Sequence, residues 1–284
     1  MNYKNSYLKF YLTFILISSL SACSSIPSSS QRQSTFHQLT STNGWKTSLI
    51  HTQEFDLMTA HSVVIADTEL LTIYIEGDGL AWLNKHTVSS DPTPINPLAL
   101  RLSLNHAGAN AAYLARPCQF TGGINARGCN QHIWTDSRFS NSVISSSSVA
   151  IDTLKKEFNA TKLRLIGFSG GAAVAALLVA RRDDVSELIT VAGNLDHFAW
   201  TQHHKISPLT RSLNPVDYLP SLAKVKQFHF VGSKDTVMPS FLAQQFVDKL
   251  PANSPAHVFV IQQQTHSCCW QEVWPELLST HLDN

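Results

Sequence analysis

The chain has 284 residues, with 21 Lys and Arg against 20 Asp and Glu, a net charge of +1, 43% hydrophobic residues and 14% charged ones. This composition excludes a disordered, charge-driven chain, and at this length one α/β domain with a single well-buried core is expected. Without clustered Lys and Arg the body has no electrostatic reason to bind nucleic acid or to spread on an anionic membrane, so the expected partner is a small molecule or a protein.

At the N-terminus, Lys4 and Lys9 precede an apolar run from Phe10 to Leu20. The run has the length of a signal-peptide core and is too short to span a bilayer comfortably. It closes on Leu20-Ser21-Ala22-Cys23, which resembles the lipobox of bacterial lipoproteins. The resemblance implies removal of residues 1–22 and lipidation of Cys23. With Ser24 rather than Asp following, it also implies sorting to the outer membrane of a two-membrane envelope. The alternative is an ordinary cleavable signal with an incidental Cys. Two or more acyl chains, at about 0.8 kcal/mol per buried methylene, anchor a protein stably. Residues 23–40 read as a Ser-rich tether, and 41–284 as the folded domain.

Short β-branched and aliphatic runs then alternate with segments of helical period. Val63 to Ala66, Leu71 to Ile75 and Ala112 to Ala115 read as strands, the last followed by a loop containing Gly122, Gly123 and Gly128. Ile151, Leu154 and Phe158 recur at i, i+3 and i+7 and mark one helix face. Leu163 to Ile166, Leu188 to Ala192, Phe228 to Val231 and Val258 to Ile261 follow as further apolar strands. Near-continuous apolar strands separated by helices imply a mostly parallel central sheet covered by helices on both faces. In an exported protein the remaining cysteines are expected to be oxidised. Of the three possible pairings, Cys118 with Cys129 is favoured, leaving Cys268 and Cys269 as an adjacent pair or free thiols. No zinc-type Cys/His spacing and no HExxH occurs, so neither a metal nor a cofactor is expected.

Gly167-Phe168-Ser169-Gly170-Gly171 satisfies G-x-S-x-G where a strand meets a helix predicted over Ala172 to Ala180. Small neighbours suit the sharp turn that lifts a nucleophile, and the helix N-terminus aims free N–H groups at developing negative charge. A serine hydroxyl needs a base, and the base needs an acid to orient it. Asp235, in Gly232-Ser233-Lys234-Asp235, and His266 each follow a later strand, in the order serine, acid, histidine. Asp235 also suits the N-cap of a helix starting near Pro239, and His266 an ordinary surface loop. Asp196 is the reserve acid, and His197, His203 and His204 lie too early in the chain to be preferred as base.

On these residues the chain, from about Trp45 onward, resembles the α/β-hydrolase superfamily. The resemblance implies that fold, with Ser169 as nucleophile, Asp235 as acid, His266 as base and the backbone of Gly170 in an oxyanion hole. It departs from the common His-Gly pair after the third strand, having Glu76-Gly77-Asp78-Gly79 there. Asp78 or Gly79 would supply the second oxyanion N–H, with the Asp78 carboxylate turned away. The implied enzyme is a membrane-anchored serine esterase working through an acyl-enzyme on a small ester or acyl substrate. A peptidase or acyltransferase, or a non-catalytic surface binding lipoprotein, are the alternatives. Residues between Gly193 and Lys224 form a short cap or an ordinary helical connection. Arg116 is a candidate for a substrate carboxylate or phosphate, with a structural role as the alternative.

Overall fold

The computed structural model describes residues 26–106 and 110–282, so the expected signal peptide and Cys23 lie outside the described residues. In chain order the elements are α1 (Ser29–Thr42), β1 (Trp45–His51), β2 (Asp56–Ser62), β3 (Leu70–Ile75), a small hairpin of β4 (Trp82–Asn84) and β5 (Thr87–Val88), α2 (Leu98–Leu104) and β6 (Asn110–Leu114). They continue with α3 (Asn141–Phe158), β7 (Lys162–Phe168), α4 (Gly170–Val179), β8 (Val185–Val191), α5 (His197–His204), α6 (Leu219–Leu222), β9 (Lys226–Gly232), α7 (Ser240–Asp248), β10 (Ala256–Ile261) and α8 (Trp270–His281). Eight strands form one sheet in the order β1-β2-β6-β3-β7-β8-β9-β10. The first two pairings, β1 with β2 and β2 with β6, are antiparallel. Every pairing from β6 to β10 is parallel.

Each face of this sheet buries its own apolar core, as a parallel sheet requires. On β3, Leu71, Ile73 and Ile75 point into a core with Ile144, Ile151 and Leu154 of α3 and the apolar residues of α4. Tyr74, one residue out of phase, points to the opposite core with α2 and with Trp270 and Trp274 of α8. This is the α/β-hydrolase architecture, and it aligns the C-terminal ends of β3, β7, β8, β9 and β10 along one edge.

Two expectations are corrected. The tether expected over 23–40 is helical from Ser29, capped by Ser28 and Gln31 in a reciprocal capping box. Phe36 of that helix is fully buried against Tyr113 and Phe120, so the folded body starts before residue 41. Val63 to Ala66 is not a strand: Val63, Val64 and Ile65 lie past the end of β2 and are exposed. The same edge of the sheet is built instead by β1 and β2.

Candidate active site

Ser169 sits where β7 gives way to α4 and adopts φ 51°, ψ −118°, a backbone conformation that residues with a side chain rarely take. Close packing holds the turn: a Cβ on Gly171 would lie 2.3 Å from the Ile75 carbonyl oxygen and 2.5 Å from that of Glu76. The chain beyond is tied back, since Asn194 N–H donates to the Ser169 carbonyl over 3.0 Å. The hydroxyl is therefore presented at the sheet's C-terminal edge, with the first turn of α4 behind it.

The loops after β9 and β10 bring the other two groups to the same place. His266 Nε2 lies 3.0 Å from Ser169 Oγ, and its Nδ1 lies 2.9 Å from Asp235 Oδ2. The other Asp235 oxygen accepts from the N–H groups of Val237 and Met238, each at 2.8 Å, so this buried carboxylate both orders its own turn and faces the imidazole. The two loops are laced together by Lys234 N–H to the Gln264 carbonyl at 2.9 Å and Gln263 N–H to Ser233 Oγ at 3.0 Å. Phe168 packs its ring 5.3 Å from that of His266. The reserve acid Asp196 is engaged elsewhere: it caps α5 and pairs with Lys249 Nζ at 2.7 Å. His204 Nε2 lies against the Val237 carbonyl and His203 against the Phe241 ring, while His197 is buried.

The oxyanion loop departs from expectation. The Asp78 carboxylate is not turned away; a Cβ on Gly170 would lie 2.0 Å from its Oδ1. Two buried guanidinium groups hold it there, Arg116 Nη1 at 3.3 Å from Oδ1 and Arg138 Nη1 bonded to Oδ2. Burial alone would raise this carboxyl's pKa, but Arg138 and then Arg116 outweigh burial and hold it below the usual carboxylate value. Arg116 is correspondingly not a wall of the cleft. It is buried over the Phe139 ring at 5.4 Å and bonded to the Arg138 carbonyl, and burial lowers its pKa to about 10 against the pull of Asp78. Its role is to fix Asp78; the arginine lining the cleft is Arg138. Among the described residues the backbone N–H groups of Gly170, Asp78 and Gly79 have no hydrogen-bond acceptor.

The cleft above Ser169 and His266 has a volume of about 690 Å³. Leu80, Trp82 and Ile95 form one apolar wall and Trp200, Val237 and Met238 another. Glu76, at its floor, was not singled out from sequence. Its buried carboxyl accepts from Gly77 N–H at 2.9 Å, Ala99 N–H at 3.3 Å and the Tyr113 hydroxyl at 3.2 Å. It thereby caps α2 and pins the oxyanion loop. Asn194 was likewise missed, although its place just past β8 is where site residues of such sheets collect. Cys118 and Cys129 are joined, with Cα atoms 5.8 Å apart, and Cys268 and Cys269 form the second, adjacent pair just beyond His266.

Solved structures share this fold at low identity. The Pyrococcus furiosus esterase Pf2001 aligns at TM-score 0.60 and 16% identity, over 84% of this chain and 90% of that one. Est1E from Butyrivibrio proteoclasticus aligns at TM-score 0.58 and 12% identity, over 84% and 99%. An alpha-beta serine hydrolase homologue from Coxiella burnetii aligns at TM-score 0.52 and 16% identity, over 82% and 94%. A comparison with curated proteins finds no match. The model of one family matches residues 100–268, a stretch that contains Ser169, Asp235 and His266 and more than half of the chain. The chain belongs to the FSH1 serine hydrolase family.

Proposed function

We propose that this serine hydrolase cleaves carboxylic esters through Ser169, His266 and Asp235. The observation that carries the reading is the pair of short contacts on one imidazole, 3.0 Å to Ser169 Oγ and 2.9 Å to Asp235 Oδ2. Asp235 accepts from Nδ1–H and so leaves Nε2 as the acceptor facing the hydroxyl. As Ser169 Oγ attacks the ester carbonyl carbon, its proton passes to Nε2, and the imidazolium is stabilised by the Asp235 carboxylate. The carbonyl oxygen becomes an oxyanion, for which Gly170 N–H and that of Asp78 or Gly79 are unengaged donors. Collapse expels the alcohol, which takes the proton from Nε2, and leaves an acyl-Ser169. Water then attacks the acyl carbon, again losing a proton to His266, and releases the acid and the free serine. No step calls for a metal or a cofactor.

Esters are favoured over amides by the named esterases among the structural neighbours and by a mouth lined with apolar side chains. Peptidase or acyltransferase activity is the second reading. Supplying amides, or alcohol acceptors, beside p-nitrophenyl esters separates them. Ser169→Ala should abolish ester turnover without changing the unfolding midpoint, and a fluorophosphonate should label the parent at Ser169 alone. Turnover by Ser169→Ala at the parent's rate would sink the assignment. The lipobox-like Leu20 to Cys23 supports a further part of the proposal, a lipoprotein held in the bacterial outer membrane through Cys23. Mass analysis of the N-terminal peptide of envelope-purified protein should find acyl chains on Cys23.

A further inference from the structure

Five of the large apolar residues left exposed by the fold gather around the cleft, while others, among them Val63, Val64 and Ile65 past β2, lie elsewhere. Trp82 and Leu83 on the β4–β5 hairpin and Ile95 beside them are each more than two-fifths exposed, as are Val237 and Phe241 across the cleft. Trp82, Ile95 and Val237 line the cleft itself, and the second lip is braced by Trp200 Nε1–H donating to the Val237 carbonyl at 2.9 Å. Lys85 and His86 stand exposed at the hairpin tip. The two carboxylates of the cleft, Glu76 and Asp78, are engaged in the bonds described above. The mouth of the site is thus bordered by apolar side chains with a cation at its outer edge, a pattern suited to the boundary between lipid tails and headgroups.

The start of the folded body lies at the same place. The N-terminal turn of α1 is fastened to the first lip, with Ser29 Oγ–H donating to Asp91, Arg32 Nη2 3.4 Å from Asp91 Oδ2, and Gln33 Nε2 3.4 Å from the Phe120 carbonyl. Asp91 begins the loop that carries Pro94 and Ile95 into the cleft wall. Cys23 precedes Ser28 by five residues, which at full extension reach about 18 Å. A lipid on Cys23 therefore holds a bilayer within about 18 Å of Ser28, beside the lip to which Ser29 is bonded.

We propose that the two lips dock onto the bilayer and that the ester cleaved at Ser169 is drawn from it, carrying an apolar chain that partitions into lipid. The inference rests on the esterase reading and on lipidation of Cys23. It is tested with the full lipidated chain and two residues that lie outside the cleft lining, Leu83→Asp and Phe241→Asp combined. Parent and variant are assayed on water-soluble p-nitrophenyl butyrate and on methylumbelliferyl palmitate carried in phosphatidylcholine vesicles. In parallel, quenching of Trp82 by bromine-labelled lipid chains is read as the difference between each protein and its Trp82→Phe form. The expected result is equal turnover of the butyrate, a loss of about ten-fold on the vesicle-borne palmitate, and Trp82 quenching that disappears in the variant. Equal palmitate turnover by the two proteins, or no quenching of Trp82 in the parent, would overturn the docking surface. Should neither ester be cleaved, the esterase reading fails and the quenching alone judges the surface. A Cys23 that carries no lipid would overturn the proposed orientation whatever the quenching shows.

Discussion

One carboxylate decides how the oxyanion loop works. Asp78 lies against Gly170, next to the N–H that the proposed mechanism aims at a developing negative charge, and a bare carboxylate there would oppose the reaction. Arg116 and Arg138 together more than cancel it, so the loop presents a net positive field instead. Because Arg116 is buried behind Asp78 and touches no part of the cleft, its removal tests that field without removing a substrate contact. A unit charge on the order of 10 Å away, at an effective dielectric near 20, is worth about 1.7 kcal/mol, more than ten-fold in rate. Arg116→Gln is expected to lower kcat by about ten-fold while KM on a neutral ester stays near the parent value. Steady-state kinetics decide the matter, and an unchanged kcat would show that the buried pair is structural only. Nothing in the sequence around Arg116 revealed this role. The guanidinium was legible as a charge near the site, but its partner lies 38 positions away, and only the sheet's C-terminal edge brings them together.

At the scale of elements, the strands that carry the site were legible and the framing pieces were not. Leu163 to Ile166 and Phe228 to Val231 lie in internal strands, buried enough that composition alone marks them, whereas Val258 to Ile261 lies in the edge strand β10 and is marked by its β-branched run although it is half exposed. Helix α1 hides because its buried positions, Arg32, Phe36 and Thr40, fall at i, i+4 and i+8 with one apolar residue among them. Its one legible signal was Ser28 with Gln31 three residues on, the spacing of a capping box. Val63 to Ala66 misleads for the opposite reason, since β-branched residues suit strands wherever the backbone pairs, and here no neighbour pairs with them. The long connection between β6 and α3 has little regular structure and holds both arginines, so it depends on its staple. Closing the 11-residue separation between Cys118 and Cys129 stabilises the fold by about 3 kcal/mol on loop-entropy grounds. Replacing both cysteines by Ser should lower the unfolding free energy by that order in urea titrations. A variant with the parent's midpoint would mean that the buried contacts of Trp134 and Phe120 hold the loop unaided.

For the whole molecule, buried groups whose ionisation is shifted in opposite directions shape how stability depends on pH. Burial raises the Glu76 carboxyl to about 7, against the hydrogen bonds from Gly77, Ala99 and Tyr113. Folded protein thus holds a proton that the unfolded chain releases above its ordinary value of 4.5, and stability from this group is full below that value and lost as pH rises to about 7. His229, buried on β9 with Nδ1 on Thr190 Oγ1, is pushed down to about 3 by burial and by His257. Here the unfolded chain takes up the proton, so stability is full above 6.5 and lost as pH falls toward 3. Each proton contributes about 1.4 kcal/mol per pH unit. Between 4.5 and 6.5 the Glu76 and His229 slopes oppose each other, and His197, also held below its ordinary value of 6.5 by burial, adds to the His229 side. Glu76→Gln keeps an acceptor for Gly77 and Ala99 and can donate to the Tyr113 oxygen, yet it cannot ionise. The variant should therefore lose the Glu76 slope, so that from pH 4.5 to 6.5 its unfolding free energy rises by about 3 kcal/mol relative to the parent's. Parallel parent and variant curves across that window in urea unfolding would show that Glu76 stays charged in the folded protein. The same substitution leaves the capped α2 and the loop bearing Asp78 in place, so a rise in stability without loss of ester turnover would separate the carboxyl's structural part from its charge.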